Sequence, residues 1–389
     1  MVSLDEAGRR ALTRLQPTKS GWLTAAATVV AVAIALGLSC VLIASTGGSP
    51  AASIRALWDG SVANSSAWSA TLLNTAPLLL VAVGACVSAR SGTFNIGQEG
   101  QVLVGALAGA WVGLRLALHG PLLLIVVMIA SAIGGGVWAG LSALMYRFRG
   151  VNVVVSTLLM TFVAQQLITY AVSTSWFLQE SAVGSSGIAN NESNPIPANG
   201  QLNTIGQYPN LQLNSGLFLA VVATLIVAFV LVRSRWGFRL KLLGLNPLAA
   251  RHSGVRVAAL GGLALAISGA FAGLAGGVLL ASPIGSNRLQ PGISDNIGWD
   301  GLLVALVARN RPLVSVPVAL LFGILRAGGD FLAATGIPYY LVDVAKSLLV
   351  LAFVAPGVLV GMLERRRLAG RVAPPAARNP LPVKQEVTV

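Results

Sequence analysis

Histidine occurs only at His119 and His252, and cysteine only at Cys40 and Cys86, in a chain of 389 residues. Two isolated histidines and no clustered carboxylates leave no Ser/His/Asp set, histidine metal site or paired-carboxylate site to be read. Both cysteines fall in apolar runs, so nothing points to a disulfide. Charge is also scarce: 10% of residues are charged, where a soluble domain carries about 25%. That shortage, with 55% hydrophobic residues and a mean hydropathy of +0.78, excludes an ordinary soluble domain and implies an integral membrane protein. No GxxxxGKS or GxxxxGKT loop occurs, so the chain lacks that phosphate cradle.

Acidic residues are few as well. There are 12 against 26 basic ones, for a net charge of +14. Such an excess can mark a nucleic-acid partner, but its distribution argues otherwise. Lys and Arg gather in the N-terminal tail, at Arg147 and Arg149, between Arg233 and Arg256, and after Glu364. The polar stretch 173–212 has none, only Glu180 and Glu192. This is the positive-inside pattern. It places both termini in the cytoplasm and the 173–212 loop outside, in a plasma or inner membrane.

The expected fold class is all-α and polytopic. Ten apolar segments can be read, at 21–45, 67–89, 97–118, 121–146, 152–172, 213–232, 257–281, 297–308, 313–329 and 338–362. A bilayer core needs about 20 apolar residues per helix, so the eighth is too short to span alone. The expected organisation is a cytoplasmic tail (1–20), a transmembrane domain (21–362) with a cytoplasmic loop at 233–256, and a disordered cytoplasmic tail (363–389) rich in Pro and Arg. Trp22 to Ala44 is longer than a signal-peptide core and reads as a retained first helix.

One polar phrase occurs twice. Asn95-Ile96-Gly97-Gln98-Glu99-Gly100 returns as Asn296-Ile297-Gly298-Trp299-Asp300-Gly301. The first copy opens segment three and the second opens segment eight. Five segments separate them, so the copies enter the membrane in opposite senses, as a five-plus-five inverted repeat requires. In such folds the solute site lies near mid-membrane beside broken helices. Helix starts offer unpaired N–H groups and partial positive charge, and Asn, Gln and carboxylates add donors and acceptors. Phe94 and Trp299 are flat surfaces on which a ring can stack. Two readings stay open: the copies line a solute path, or Glu99 and Asp300 only cap helix starts. Further pathway candidates are Asn74, Asn152 and Gln165.

Glycines four apart, at 105, 109 and 113, at 269, 273 and 277, and at 136 and 140, predict close helix contact. Asp343 and Lys346 share a face of segment ten, as do Arg326 and Asp330 of segment nine; each is expected to be a buried pair.

Between segments six and seven, Asn246-Pro247 predicts a short surface helix, since Pro suits a first helical turn. The runs SGTFNIGQEGQ (91–101), GLNPLAARHSGV (244–255), ISGAFAGLAGG (267–277) and LVALVARNRP (303–312) together resemble permease subunits of ATP-binding-cassette (ABC) importers, in the branched-chain amino acid and ribose permease superfamily. The nucleoside or simple-sugar branch is the most similar, over about Asn74 to Gly361. The resemblance implies half of a transmembrane pair, a homodimer or a heterodimer with a second permease subunit, the heterodimer being the expected form. It implies a cytoplasmic ATPase, holding ATP and Mg, docked where Gly244, Asn246, Ala249, Ala250 and Gly254 match the family's coupling segment. It also implies a lipid-anchored extracytoplasmic binding protein, no cofactor on this chain, no catalysis by it, contact with membrane lipid, and no nucleic acid. Nucleosides are the expected solute, with ribose-like sugars as the alternative. An ion-gradient-driven secondary transporter is the alternative of another class, allowed by the inverted repeat and Asp343/Lys346.

Overall fold

A computed structural model describes residues 19–45, 49–181, 190–208, 211–283 and 286–334, with scattered positions between 343 and 362. Helix α1 (Lys19–Ser45), up to Leu42, belongs to one compact unit; Ile43–Lys346 forms a second. The second unit contains α2 (Pro50–Ser61), α3 (Ser65–Arg90), α4 (Gln98–Arg115), α5 (Leu122–Arg149) and α6 (Val153–Ser173). It continues with α7 (Ser215–Arg233), α8 (Arg235–Leu245), α9 (Pro247–His252), α10 (Val257–Ala281), α11 (Ile297–Val307) and α12 (Pro312–Ala334). Helices α1, α3, α5, α6, α7, α10 and α12 are long and apolar enough to cross a membrane. The fold is therefore all-α and polytopic. Nine of the ten apolar segments coincide with described helices; of the tenth only scattered helical positions are described, and Lys346 of the Asp343/Lys346 pair lies outside the described residues.

Two short elements were not expected. Helix α2 starts where Ser49 Oγ accepts from the Ala52 N–H at 3.4 Å, with Pro50 in its first turn. In the 173–212 loop, β1 (Thr204–Tyr208) pairs antiparallel with β2 (Leu211–Asn214).

Helix α3 is the centre of its unit. Asn64 caps its start by accepting from Ala67 N–H at 2.9 Å. Consecutive residues Leu78, Leu79, Leu80 and Val81 are all buried. A helix buried on every side is surrounded by protein, here by α7, α10, α11 and α12.

The glycine ladders are the seams between α4, α5 and α10. A Cβ added to Gly105 would lie 2.3 Å from Gly273 Cα, and one added to Gly135 would lie 2.3 Å from the Gly269 carbonyl. Gly136 meets Ala266 and Ala270, whereas Gly140 has nothing within 4 Å. Close packing without side chains is what small residues permit between membrane helices.

This generates a paired prediction. Gly105→Ala forces a Cβ into backbone and should destabilise by about 1–3 kcal/mol. Gly140→Ala enters open space and should be neutral or stabilising by up to about 1 kcal/mol. Thermal unfolding of the two purified variants checks this; equal shifts would refute the seam.

Candidate functional site

The site forms where the two polar phrases meet. Glu99 lies in the first turn of α4 and Gly298 in the first turn of α11. Glu99 Oε2 accepts from the Gly298 N–H at 2.7 Å, and Glu99 Oε1 accepts from the Ser294 hydroxyl. From this joint the helices run apart. Helix α4 ends at Arg115, which reaches the Phe177 carbonyl at 3.5 Å. Helix α11 leads to the Arg309–Arg311 turn, beside Arg90 and Arg233. Gly301 lies against Leu78 and Val81, near the middle of α3, so the joint sits at mid-length of the central helix.

The four glycines of the phrases permit close approach. A Cβ on Gly97 would fall 2.3 Å from the Thr157 carbonyl, and one on Gly100 2.7 Å from Thr161 Cα. A Cβ on Gly298 would fall 2.3 Å from Glu99 Cα. The first pair seats α4 on α6; Gly298 seats α11 on the first phrase itself.

Asn95 and Gln98 are buried and tie the start of α4 to α10. Asn95 Nδ2 donates to Gln101 Oε1 at 2.8 Å and to Ser268 Oγ at 2.9 Å, and Gln101 Nε2 returns a bond to Asn95 Oδ1 at 2.9 Å. Gln98, oriented to satisfy its surroundings, donates to the Val81 carbonyl at 3.2 Å and accepts from Ser268 Oγ at 3.3 Å.

On the other side stands Arg326 of α12, a buried cation. It donates to Asp300 Oδ2 at 3.1 Å, to the Asp295 carbonyl at 2.6 Å and to the Asp295 carboxylate. The i, i+4 pairing with Asp330 expected from the sequence is thus corrected: the partners seen for Arg326 carry or precede the second phrase. Asp295 and Asn296 both have left-handed backbones, at φ 38° and 64°, which non-glycine residues seldom adopt. The grip on the Asp295 carbonyl holds that turn.

A cavity of about 320 Å³ opens at the joint, lined by Glu99, Leu103, Gln165, Ile168, Thr169, Pro291, Gly292, Ser294, Asp295 and Asn296. Three residues expected in the pathway, Glu99, Gln165 and Asn296, come together here. Ser294, Asp295 and Thr169 were missed; the first two sit one or two residues ahead of the repeated phrase and outside its match. The other expected residues do not line the cavity. Asn74 is buried on α3, donating to the Ala70 carbonyl at 3.1 Å, while its Oδ1 has no partner among the described residues. Asn152 Oδ1 caps α6 by accepting from Val154 N–H at 2.9 Å. Phe94 is exposed in the turn before α4, and Trp299 and Asp300 are half-buried.

The segment above the cavity is pinned to the 173–212 loop. Arg288 meets Glu180 at 2.5 Å and Glu192 at 3.1 Å. The Glu180 carboxylate raises the guanidinium's already high pKa. Ser193 and Leu289 exchange two bonds of 2.8 Å.

The expected short surface helix is present as α9. Asn246 Oδ1 caps it by accepting from Ala249 N–H at 3.0 Å, Ala250 is buried beneath it, and Gly254 follows with φ 77°. A Cβ on Gly244 would lie 2.5 Å from the Arg90 carbonyl, so α8 rests directly on the turn that leads into the first phrase.

Broken helices meeting start to start around a polar cavity, inside a bundle of apolar spans, define a membrane transport protein. The chain belongs to the family described as branched-chain amino acid transport system / permease component, matched over residues 68–355. It is 28% identical over 341 residues to the glucose ABC transporter permease protein TsgB13 of Haloferax volcanii, covering 86% of this chain and 88% of that protein. It is 29% identical over 330 residues to the guanosine ABC transporter permease protein NupP of Bacillus subtilis, covering 84% and 92%. It is 27% identical over 347 residues to the nucleoside ABC transporter permease protein NupB of Lactococcus lactis, covering 87% and 93%.

The Arg326 clamp makes a prediction. Arg326→Met removes charge-assisted bonds and should lower stability by about 1.5–3 kcal/mol. Asp300→Asn should then cost clearly less in that background than in the native one, because the bond it breaks is already gone. Additive losses across the double-mutant cycle would show that Arg326 and Asp300 act separately.

Proposed function

We propose that the chain is one transmembrane subunit of an ATP-driven importer and that nucleosides cross the membrane through the cavity at the helix joint. The observation that carries this reading is the cavity's mixed lining. Glu99, Gln165, Thr169, Ser294, Asp295 and Asn296 supply polar groups, and Leu103, Ile168 and Pro291 supply apolar surface. A ribose with an attached base needs both. Its volume, about 320 Å³, sits at the lower end of small-molecule sites, roughly 300–1,000 Å³. A carboxylate has about four acceptor positions, so Glu99 keeps capacity for a solute hydroxyl after its two internal bonds. Two of the three relatives above are a guanosine and a nucleoside permease, which favours the same solute class. The glucose permease among them keeps a simple-sugar reading alongside.

In this proposal Glu99, Gln165 and Asn296 meet the solute. Asn95, Gln98 and Asp300 hold the joint, and Asn74, Phe94 and Trp299 border the route. The 233–256 segment faces the cytoplasm with both termini, and a separate ATPase that holds ATP and Mg docks on α8 and α9. A second permease subunit completes the pathway, and an extracytoplasmic lipoprotein delivers solute to the side bearing the 173–212 loop. Docking at Gly244–Gly254 moves the Arg90–Gly92 turn, and through it the start of α4.

Uptake by liposomes carrying the chain with its partner subunits tests this, with labelled guanosine, uridine, ribose and glucose offered with and without ATP. ATP-dependent uptake of the nucleosides is expected. Gln165→Ala should lower it about tenfold, the equivalent of one lost hydrogen bond. Removing residues 247–252 should abolish uptake while leaving membrane insertion intact. ATP-driven uptake of the sugars alone would overturn the solute class, and uptake indifferent to ATP would overturn the machine.

A further inference from the structure

A second cavity, of about 700 Å³, lies at the other end of the bundle from the 173–212 loop, between the end of α7 and the start of α12. Its chemistry differs sharply from that of the joint. Three guanidiniums line it, from three separate elements: Arg90 at the end of α3, Arg233 at the end of α7, and Arg311 in the turn before α12. Arg309 and Asn310, both with φ 54°, make the sharp turn that turns Arg311 toward this face. Among the described residues, no Asp or Glu lines the cavity and none of the three arginines has an ion pair. Arg90 Nε is buried and has no hydrogen-bond partner among the described residues. The first turn of α12 adds the partial positive charge of a helix N-terminus.

Below the arginines the same cavity continues as an apolar groove. Phe229 and Val232 of α7 and Leu313 of α12 line it, and all three are exposed. Arg90 and Arg233 are the last residues of two membrane-spanning helices, and Arg311 immediately precedes a third. The charged end of the groove therefore lies at the membrane–water boundary, and its apolar part lies within the hydrocarbon.

A groove with three cations at the headgroup level and an apolar channel beneath them matches one kind of molecule. We propose that it holds a single anionic phospholipid of the leaflet it opens onto, with its phosphate on Arg90, Arg233 and Arg311 and one acyl chain along Phe229, Val232 and Leu313. Basic pockets between membrane helices bind acidic headgroups in this way. Because α8 packs on the Arg90 carbonyl, an occupied site would bear on the same turn between α3 and α4 that α8 touches.

Native mass spectrometry of the full-length chain in detergent, titrated with phosphatidylglycerol or phosphatidylcholine, tests this. One phosphatidylglycerol should bind at least about tenfold more tightly than phosphatidylcholine. Arg90→Gln/Arg233→Gln/Arg311→Gln should abolish that preference, and the same three positions changed to Lys, which keeps the charge if the Gln variant fails to fold, should retain most of it. Arg147→Gln/Arg149→Gln, on a basic helix end remote from the groove, should leave it unchanged. Glycerol phosphate, which carries the headgroup without acyl chains, should not compete at equal concentration. Equal binding of the two lipids, binding unaffected by the triple Gln change, or full competition by glycerol phosphate would each overturn the proposal.

Discussion

The second unit depends on one buried carboxylate. Glu99 is itself buried and joins the starts of two helices, α4 and α11, beside the cavity. A carboxylate taken out of water is strongly disfavoured unless its oxygens are bonded. Both Glu99 oxygens are bonded, one to the Gly298 N–H and one to the Ser294 hydroxyl. The converse also holds: the first N–H groups of α11 have no intrahelical acceptor. No side chain caps α11 from its own Asn296, so the cap comes from a residue almost two hundred positions earlier. Each half of the joint supplies what the other half lacks.

Arg326 completes the electrostatics. Two carboxylates, Asp295 and Asp300, flank the start of α11, and one buried guanidinium answers both. The flat, forked geometry of arginine allows it to bond a backbone carbonyl and two carboxylates together, where a lysine offers a point charge. The pair of left-handed residues at Asp295 and Asn296 is held from two directions, by Arg326 on the carbonyl side and by Glu99 through Ser294. That arrangement places a strained turn on the cavity wall, where strain is commonly kept for function.

Much of this was legible in the sequence, and the limits have physical causes. Helix positions followed from hydropathy because lipid enforces long apolar runs. The repeated phrase marked the joint because polar groups in such runs need a reason to be there. Of the two readings of Glu99, the cap is observed: it bonds the first turn of α11, and it also borders the cavity, so the capping role leaves the proposed solute role open. Arg326 was assigned to Asp330 by the i, i+4 rule, which sees only one helix, whereas its observed partners lie 26 and 31 residues upstream on other elements. Asn95 and Gln98 looked like solute ligands from their type alone. Their amides are instead engaged by Ser268, Gln101 and the α3 backbone, partners that no spacing rule connects. Asn152 is likewise accounted for as a helix cap. Helix α2 escaped notice because a short helix with Asp59 and Arg55 carries no long apolar signature.

The packing around Arg90 indicates how a distant push could reach the cavity. Gly244 lies against the Arg90 carbonyl, and Gly92, with φ 77°, lies 3.1 Å by its would-be Cβ from Gly244 Cα. Two glycines facing each other leave no side chain to yield, so displacement of α8 is transferred backbone to backbone. From Gly92 the chain runs through Ser91 and Thr93, bonded to each other at 2.7 Å, to Asn95 and its bonds with Gln101 and Ser268. Those bonds fix the first turn of α4, and Glu99 is in that turn. Close-packed interiors transmit strain because they have little free volume to absorb it. In the proposed coupling, a shift at the α8–α3 contact would travel along this path to the Glu99–Gly298 bond, where α4 and α11 would part or stay together.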